Sequence, residues 1–128
     1  MVAIAIGTVT ACSSASPTVS LRLVQSASVY TSGMEGLLTG SLTVDLHGCV
    51  LAETDSHAIV VPVWPLGYSV TGDTKSFQIL DGNGAVVATS GTTLSIGGGG
   101  ADRVEQGWTE PGCSAGKRLW IVGVVRPA

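Results

Sequence analysis

The stretch Gly40–Pro65 restricts the possible folds of this chain more than any other part of the sequence. Apolar and polar side chains alternate in its first part, which predicts an antiparallel strand with one face buried and the other in water. The apolar positions of this strand are Leu42, Val44 and Leu46. His47 and Gly48 form the predicted turn, since glycine adopts positive φ without a Cβ penalty. Cys49 then begins the returning strand.

The last part of this stretch, Ala58–Val63, is almost continuously apolar, so we expect that strand to be covered on both faces. Further strands are predicted at Phe77–Leu80 and Leu119–Val125. Between them, the sequence D-G-N-G at Asp81–Gly84 is the strongest turn signal in the chain. The consecutive glycines Gly97–Gly100 predict a bulge or a bend of the kind found at a barrel corner.

Turn signals recur about every 8 to 12 residues and helix-period patterns are scarce, so the chain is predicted to be all-β. Its 128 residues suit one domain, which we place at residues 34–128. The expected architecture is a small closed or partly open antiparallel barrel of about six to eight strands, with an OB-like barrel among the alternatives.

The N-terminal residues have features of a bacterial lipoprotein signal. Met1–Ala11 is apolar, rich in small residues and uncharged, and Val9–Cys12 resembles a lipobox, where a peptidase cuts before a cysteine that then carries lipid. We therefore expect a signal segment at residues 1–11 and a lipid anchor on Cys12. A tether at residues 12–33 follows, with an early strand around Leu21 as one interpretation.

This signal lacks the basic residues that normally precede the apolar run, and a true start upstream of Met1 would account for that. Two alternatives remain open. One is a secretory signal without lipid, and the other is an ordinary apolar first strand in which Cys12 is a free thiol.

The chain has three cysteines. If Cys12 carries lipid, Cys49 and Cys113 remain as an even pair in an oxidising compartment, which is the condition for a disulfide. The bridge would tie the first hairpin to the last strand. The alternative is a cytosolic protein with buried free thiols at these two positions.

The charge of the chain argues against nucleic-acid binding. Its formal net charge is −3, and its six Lys and Arg residues are scattered, whereas nucleic acids bind to a basic face. No uninterrupted apolar run reaches the roughly 20 residues that a membrane-spanning helix needs. The expected membrane contact is therefore the lipid alone.

His47, His57, Asp55 and Glu53 surround the central hairpin. Imidazole and carboxylate groups are ligands for zinc or copper, so a metal site or a hydrolytic pair of His57 and Asp55 is one hypothesis. The spacing matches no established ligand pattern, and turn residues are commonly polar because turns are solvated. We therefore predict no metal and no cofactor.

Gly112–Gly116 matches the G-x-S-x-G pattern of hydrolase nucleophiles. That motif needs a strand before it, a helix after it and a histidine later in the chain. Here Pro111 precedes, a predicted strand follows, and both histidines come earlier. The segment is therefore interpreted as a turn of small residues leading to Cys113.

Aromatic residues on predicted loops are the best candidates for ligand contact, because they offer a large contact area at low entropic cost. These residues are Trp64, Tyr68 and Trp108, and they suit a saccharide or a peptide. The alternative for Trp64 is that it caps the barrel, since it follows a buried strand. Trp120 lies within an apolar strand and is predicted to be core.

Four segments taken together resemble a group of small bacterial lipoproteins of unassigned function, found mostly in actinobacteria and marked by a G-C-V/L … V-W-P-x-G-Y pattern. They are G-S-L-T-V-D-L-H-G-C-V at Gly40–Val50, V-P-V-W-P-L-G-Y at Val61–Tyr68, D-G-N-G-A-V-V-A-T-S-G at Asp81–Gly91, and Cys113 before L-W-I-V. The resemblance implies a secreted or anchored β module with the cysteine pair, and it implies no activity.

The sequence thus leads to two hypotheses from different classes. The first is a non-enzymatic module of the cell envelope, anchored through Cys12 and braced by Cys49 and Cys113. The second is a small hydrolytic or metal-dependent enzyme that uses the histidines and their neighbouring carboxylates. Fold alone does not identify a ligand.

Overall fold

The computed structural model describes residues 19–28 and 35–128. The expected signal segment and Cys12 lie outside these residues. Within the described part, the chain forms eight strands and one short helix. They are β1 Gly36–Val44, β2 Val50–Thr54, β3 Ile59–Val63, β4 Ser69–Gly72, β5 Phe77–Leu80, β6 Val86–Thr89, β7 Thr93–Ala101, α1 Pro111–Ser114 and β8 Arg118–Pro127.

Five of the strands close into a barrel in the order β1-β2-β3-β8-β7, with β7 returning to β1. Every neighbouring pair is antiparallel except β3 and β8, which are parallel. The prediction of an all-β, mostly antiparallel barrel is confirmed. The barrel is also OB-like, because it is a five-stranded Greek-key barrel with one parallel contact.

The remaining strands, β4, β5 and β6, form a separate antiparallel sheet between the third and fourth barrel strands in the sequence. Phe77 and Ile79 of this sheet are buried in the same apolar cluster as the barrel interior, so the sheet closes one end of the barrel. The predicted turn after β5 is confirmed, because the amide of Gly84 donates to the carbonyl of Asp81 and Gly84 has a φ of +81°.

Two layers of apolar side chains form the core. The first fills the barrel and includes Val50, Ala52, Trp64, Ile96 and Val122. The second lies on the outer faces of β2, β3 and β8, and includes Val24, Leu51, Val61, Val63, Trp108, Leu119 and Ile121 together with both cysteines of the predicted pair. Residues Val60–Val63 are buried throughout because β3 lies between these layers, which confirms that the strand is covered on both faces.

The turn between β1 and β2 differs from the prediction at one position. Gly48 has a φ of +83° as predicted. Leu46, predicted to face the core, is 91% exposed. The physical reason is that β1 ends at Val44, where the side chain of Asp45 begins to close the turn, so the alternation does not extend to Leu46.

The glycine run in β7 is a bulge, as predicted, because the register with β8 shifts between Ile96 and Gly98. Gly98 of this run and Gly36 of β1 also leave space for the indole ring of Trp120. A Cβ atom at Gly98 would lie 3.0 Å from Nε1 of Trp120, and one at Gly36 would lie 2.7 Å from the same ring. Trp120 therefore packs into the barrel interior at the end opposite the three-stranded sheet.

Residues 19–28 form two isolated parallel bridges rather than a regular strand, Arg22 with Cys49 and Gln25 with Trp64. Backbone hydrogen bonds join Val24 to Trp64 and Arg22 to Val50. The segment thus lies across the ends of β2 and β3, and Val24 is fully buried there.

Candidate functional site

A groove of about 400 Å³ opens at the end of the barrel where Trp120 lies. It exists because the two ladders of β1 begin at different residues. The ladder with β7 begins at Gly36, but the ladder with β2 begins only at Gly40. The first part of β1 is therefore separated from the β2–β3 turn, and the space between them is what we call the mouth groove.

The floor of the mouth groove is apolar, and its rim is polar apart from the exposed side chain of Leu37. Leu38, Val60 and Trp120 provide the floor, while hydroxyl groups of Thr39, Thr54 and Ser56 lie on the rim. The Nε1 atom of Trp120 is buried and has no hydrogen-bond partner in the described part of the chain. The groove is thus suited to a ligand that is apolar on one side and polar on the other.

Two opposite charges, Asp55 and Arg118, also line the mouth groove. Both residues are exposed. The ion pairs found among residues 19–28 and 35–128 join Arg22 to Glu110, His57 to Glu53 and Lys117 to Asp45, and leave Asp55 and Arg118 without a charged partner. Each is therefore available to a charged group of a ligand.

A second recess of about 340 Å³ lies on the other side of the β2–β3 turn. Nδ1 of His57 lies 3.0 Å from Oε1 of Glu53 in this recess, and Asp55 borders it as well as the mouth groove. His57 is held outside the strand in the left-handed region, with a φ of +64°. The imidazole is 86% exposed, so the pair is well solvated.

The predicted cluster of two histidines and two carboxylates is only partly brought together. His57, Glu53 and Asp55 share the β2–β3 turn, whereas His47 lies in the β1–β2 turn at the opposite end of β2. For the residues that the structure describes, no group of three or more potential metal ligands was found. The recess therefore provides one exposed imidazole–carboxylate pair, His57 with Glu53.

The three aromatic candidates do not form one platform. Trp64 is fully buried in the barrel layer, where it stacks on Tyr68 with ring centroids 6.1 Å apart. Trp108 is 7% exposed and belongs to the outer layer instead. Ligand contact by these residues stays a prediction, and of the three only Tyr68 is partly accessible.

The predicted disulfide is present. Cys49 and Cys113 are joined with a Cα–Cα distance of 5.6 Å, and they are 2% and 0% exposed. Cys113 belongs to α1, within the loop that connects β7 to β8. The bridge therefore holds this loop against the outer faces of β2 and β3, where Trp108 is buried.

Other contacts hold the same loop in place. Nε of Arg22 donates to Oε2 of Glu110 at 2.8 Å. The hydroxyl of Thr109 donates to the carbonyl of Leu23, and its amide donates to the carbonyl of Gln25. In OB barrels the β2–β3 face and the adjoining loops bind oligonucleotides and oligosaccharides. Here that face is covered by the protein itself.

Asp45 organises the hairpin on which Cys49 lies. Its Oδ1 atom accepts hydrogen bonds from the amides of His47 at 2.8 Å and Cys49 at 3.0 Å. Its Oδ2 atom lies 3.4 Å from Nζ of Lys117. Burial on its own raises the pKa of Asp45, but the two amides and the ammonium group together hold that pKa below the ordinary value of 3.8.

Sequence reasoning missed the mouth groove. Trp120 was predicted to lie in the core, and it is partly buried there, but no ligand contact was predicted for Arg118 or Thr39. The available signal was the combination of a tryptophan in a strand with glycines in another strand, since glycines leave space beside a large ring. Which glycines face the ring depends on register, which the sequence does not state.

No family model matches this chain, and neither curated proteins nor solved structures gave a match. Among the described residues, no helix has the length and apolar character to cross a membrane.

Proposed function

We propose that this protein is a non-enzymatic binding module of the bacterial cell envelope, anchored by lipid on Cys12 and braced by the Cys49–Cys113 disulfide. The sequence Val9–Cys12 supports the anchor, since it resembles a lipobox. The resemblance to small actinobacterial lipoproteins supports the same location.

The single observation that carries the proposal is the buried disulfide. Structural disulfides form and persist in oxidising compartments and are rare in the cytosol. The Cys49–Cys113 disulfide fixes the β7–β8 loop onto the barrel and is shielded from solvent, and both properties are typical of a structural disulfide. An extracytoplasmic location accounts for it directly.

The ligand in this proposal is a saccharide or a peptide that binds at the mouth groove. The β2–β3 face is covered by the β7–β8 loop, so a ligand has no access to it. The mouth groove combines an aromatic and aliphatic floor with hydroxyl and charged groups, which is the composition typical of small-ligand sites.

The experiment is the intact mass of the protein purified from membranes, with and without reductant. We expect a chain that begins at Cys12 and carries a diacylglycerol-sized addition. Reduction should add one hydrogen to each sulfur of Cys49 and Cys113. A Cys12→Ala variant is the control and should remain unlipidated. A full-length, unlipidated wild-type chain whose mass does not change on reduction contradicts the proposal.

A hydrolytic or metal-dependent enzyme is the second candidate, and the 3.0 Å contact between His57 and Glu53 is the observation that favours it. A variant with both His47→Ala and His57→Ala separates the two candidates. An enzyme loses its activity or its zinc uptake in this variant, whereas a binding module keeps its ligand affinity. Zinc uptake is measured by calorimetry with the full chain.

A further inference from the structure

We propose that the mouth groove binds an extended peptide segment, which adds as a strand to the free edge of β1. This inference rests on the proposed binding function and names the class of ligand. Three features support it: the backbone of β1, the apolar floor of the groove, and two charges that form no ion pair with any described residue.

The free edge follows from the register of β1. Residues Gly36–Thr39 have partners in β7, running from Gly98 to Ser95. On the other side, the ladder with β2 ends with the pair Gly40 and Thr54. Among residues 19–28 and 35–128, the first part of β1 therefore has a strand partner on one side only, and its other side faces the mouth groove.

The hydrogen bonds at the other end of β1 show which residues present their backbone to the groove. The carbonyl of Leu42 accepts from Gly91, on the β7 side, while the amide of Asp45 donates to Cys49, on the β2 side. Backbone groups of successive residues in a strand point alternately to the two sides. The amides and carbonyls of Leu37 and Thr39 therefore point away from β7 and into the groove.

A strand edge with unpaired amides and carbonyls is a template for another strand. Peptide-binding domains use such edges, where main-chain hydrogen bonds supply affinity and pockets for alternate side chains supply specificity. Leu37 and Thr39 together offer two donors and two acceptors at the spacing of a strand. A saccharide has no repeating backbone that matches this spacing.

The floor of the groove provides the pocket for one apolar side chain. Leu38, Val60 and Trp120 lie there, next to the edge. Trp120 is kept in place because Gly36 and Gly98 carry no side chains that would displace its ring. A valine or leucine side chain of the peptide buries apolar surface in this pocket.

The charges at the rim define the rest of the ligand. Asp55 lies on the β2–β3 turn and Arg118 begins β8, so they line the groove from different elements. Neither is engaged in any of the ion pairs that join described residues. A peptide with one basic and one acidic group flanking an apolar centre complements both.

The test uses the full chain with Cys12→Ser, labelled with ¹⁵N, and the peptide Lys-Val-Thr-Val-Glu with blocked ends. We expect saturable shifts of the backbone amide signals of Leu37, Leu38 and Thr39 and of the Trp120 indole signal. A second probe, Lys-Val-Pro-Val-Glu, has the same charges but lacks the central N–H, so it should bind about tenfold more weakly.

Thr39→Pro removes a groove-facing N–H without touching the ladder with β7, and proline is tolerated at such edge positions. We expect this variant to weaken binding of the first probe about tenfold, the effect of one lost hydrogen bond to a buried group. Thr39→Val separates the contribution of the hydroxyl from that of the amide, since it keeps the N–H and removes only the hydroxyl, and it should weaken binding less than Thr39→Pro. Thermal unfolding verifies that both variants are folded. If Thr39→Pro does not fold, the affinities of the unsubstituted edge for the two peptide probes test the inference instead.

Three outcomes overturn the inference. They are an absence of shifts at millimolar probe, equal affinity for the two probes, and binding of chitotriose but not of peptide. The last result leaves the proposed binding function intact and replaces the ligand class. These titrations do not depend on lipidation. A mass experiment that contradicts the envelope location therefore does not affect their outcome, and the two proposals can fail independently.

Discussion

Asp45 holds the turn that begins the disulfide-linked part of the molecule. It accepts two backbone hydrogen bonds and contacts an ammonium group, while its side chain is 22% exposed. These contacts favour the charged form of the carboxyl group, and the pKa is lowered despite the opposing effect of burial. Because the charged carboxylate makes these contacts, the stability of the turn depends on the protonation state of Asp45.

We predict that Asp45→Ala lowers the free energy of unfolding by about 1–2 kcal/mol at neutral pH, because two amides lose a charged acceptor. The folded-state pKa lies below the ordinary value of 3.8. The stabilisation is therefore present above that value and lost as the pH falls through the folded-state pKa. Urea unfolding between about pH 7 and pH 2 should show the wild type and variant converging at the acid end. A gap that stays constant down to the acid end contradicts the prediction.

Gly98 and Gly100 form a matched pair within one run of glycines. A Cβ atom at Gly98 would lie 1.8 Å from the carbonyl oxygen of Ile121, and its φ is +153°. At Gly100 the nearest atom is 3.9 Å away. We predict that Gly98→Ala costs about 3 kcal/mol or more, whereas Gly100→Ala costs under about 1 kcal/mol. Thermal unfolding of both variants tests this. Equal losses of stability in the two variants contradict the register of β7 with β8.

At the scale of elements, the disulfide is the covalent link between the β7–β8 loop and the barrel. The bridge spans a sequence separation of 64 residues. Loop-closure entropy then predicts that replacing both cysteines by alanine lowers the free energy of unfolding by about 4 kcal/mol. Urea unfolding with and without reductant measures this, with the double variant as a control that reductant does not affect. An unchanged wild-type midpoint after reduction contradicts the prediction.

The segment of residues 19–28 makes its contribution through buried side chains rather than through regular strand pairing. Val24 is fully buried in the outer layer, whereas Val19 is 40% exposed. We predict that Val24→Ala lowers the free energy of unfolding by about 2 kcal/mol and that Val19→Ala changes it by under about 0.5 kcal/mol. Chemical unfolding compares the two, and similar small effects would show that the segment is not part of the folded core.

At the scale of the whole molecule, the barrel has the strand order of an OB-like fold but not its open binding face. The loop with Trp108 and Cys113 covers β2 and β3, and the formal net charge of the chain is −3. We predict no saturable binding of single-stranded oligonucleotides at about 0.15 M salt, because the part of the chain that the structure describes offers neither a stacking surface nor a basic groove. Fluorescence anisotropy with labelled oligothymidine measures this. Saturable binding that weakens with salt contradicts it.

Much of the local structure was predictable because it depends on neighbours in the sequence. The turn at Gly48 and the turn after β5 follow from residues that adopt positive φ. The apolar run ending at Val63 indicated a strand covered on both faces, and it is one. Leu46 was the exception, since alternation by itself does not state where a strand ends.

The mouth groove and the free edge of β1 were not predictable in the same way. They depend on where two ladders begin, at Gly36 on one side and at Gly40 on the other. Register is set by packing and pairing across the barrel, and a shift of one residue would exchange the faces of every side chain in β1. The parallel contact of β3 with β8 is likewise decided by closure of the barrel.

The sequence by itself therefore determined the all-β class and the main turns, because alternation of side chains and the positive φ of glycine act locally. It indicated the pair of Cys49 and Cys113 only on the condition that Cys12 carries lipid. Only the tertiary structure decided that Trp64 and Trp108 are buried in separate layers, and that Trp120 lies at the floor of a groove. The reason is that burial of a large side chain is a property of the elements packed around it. Those elements are distant in the chain and adjacent only once the barrel has closed.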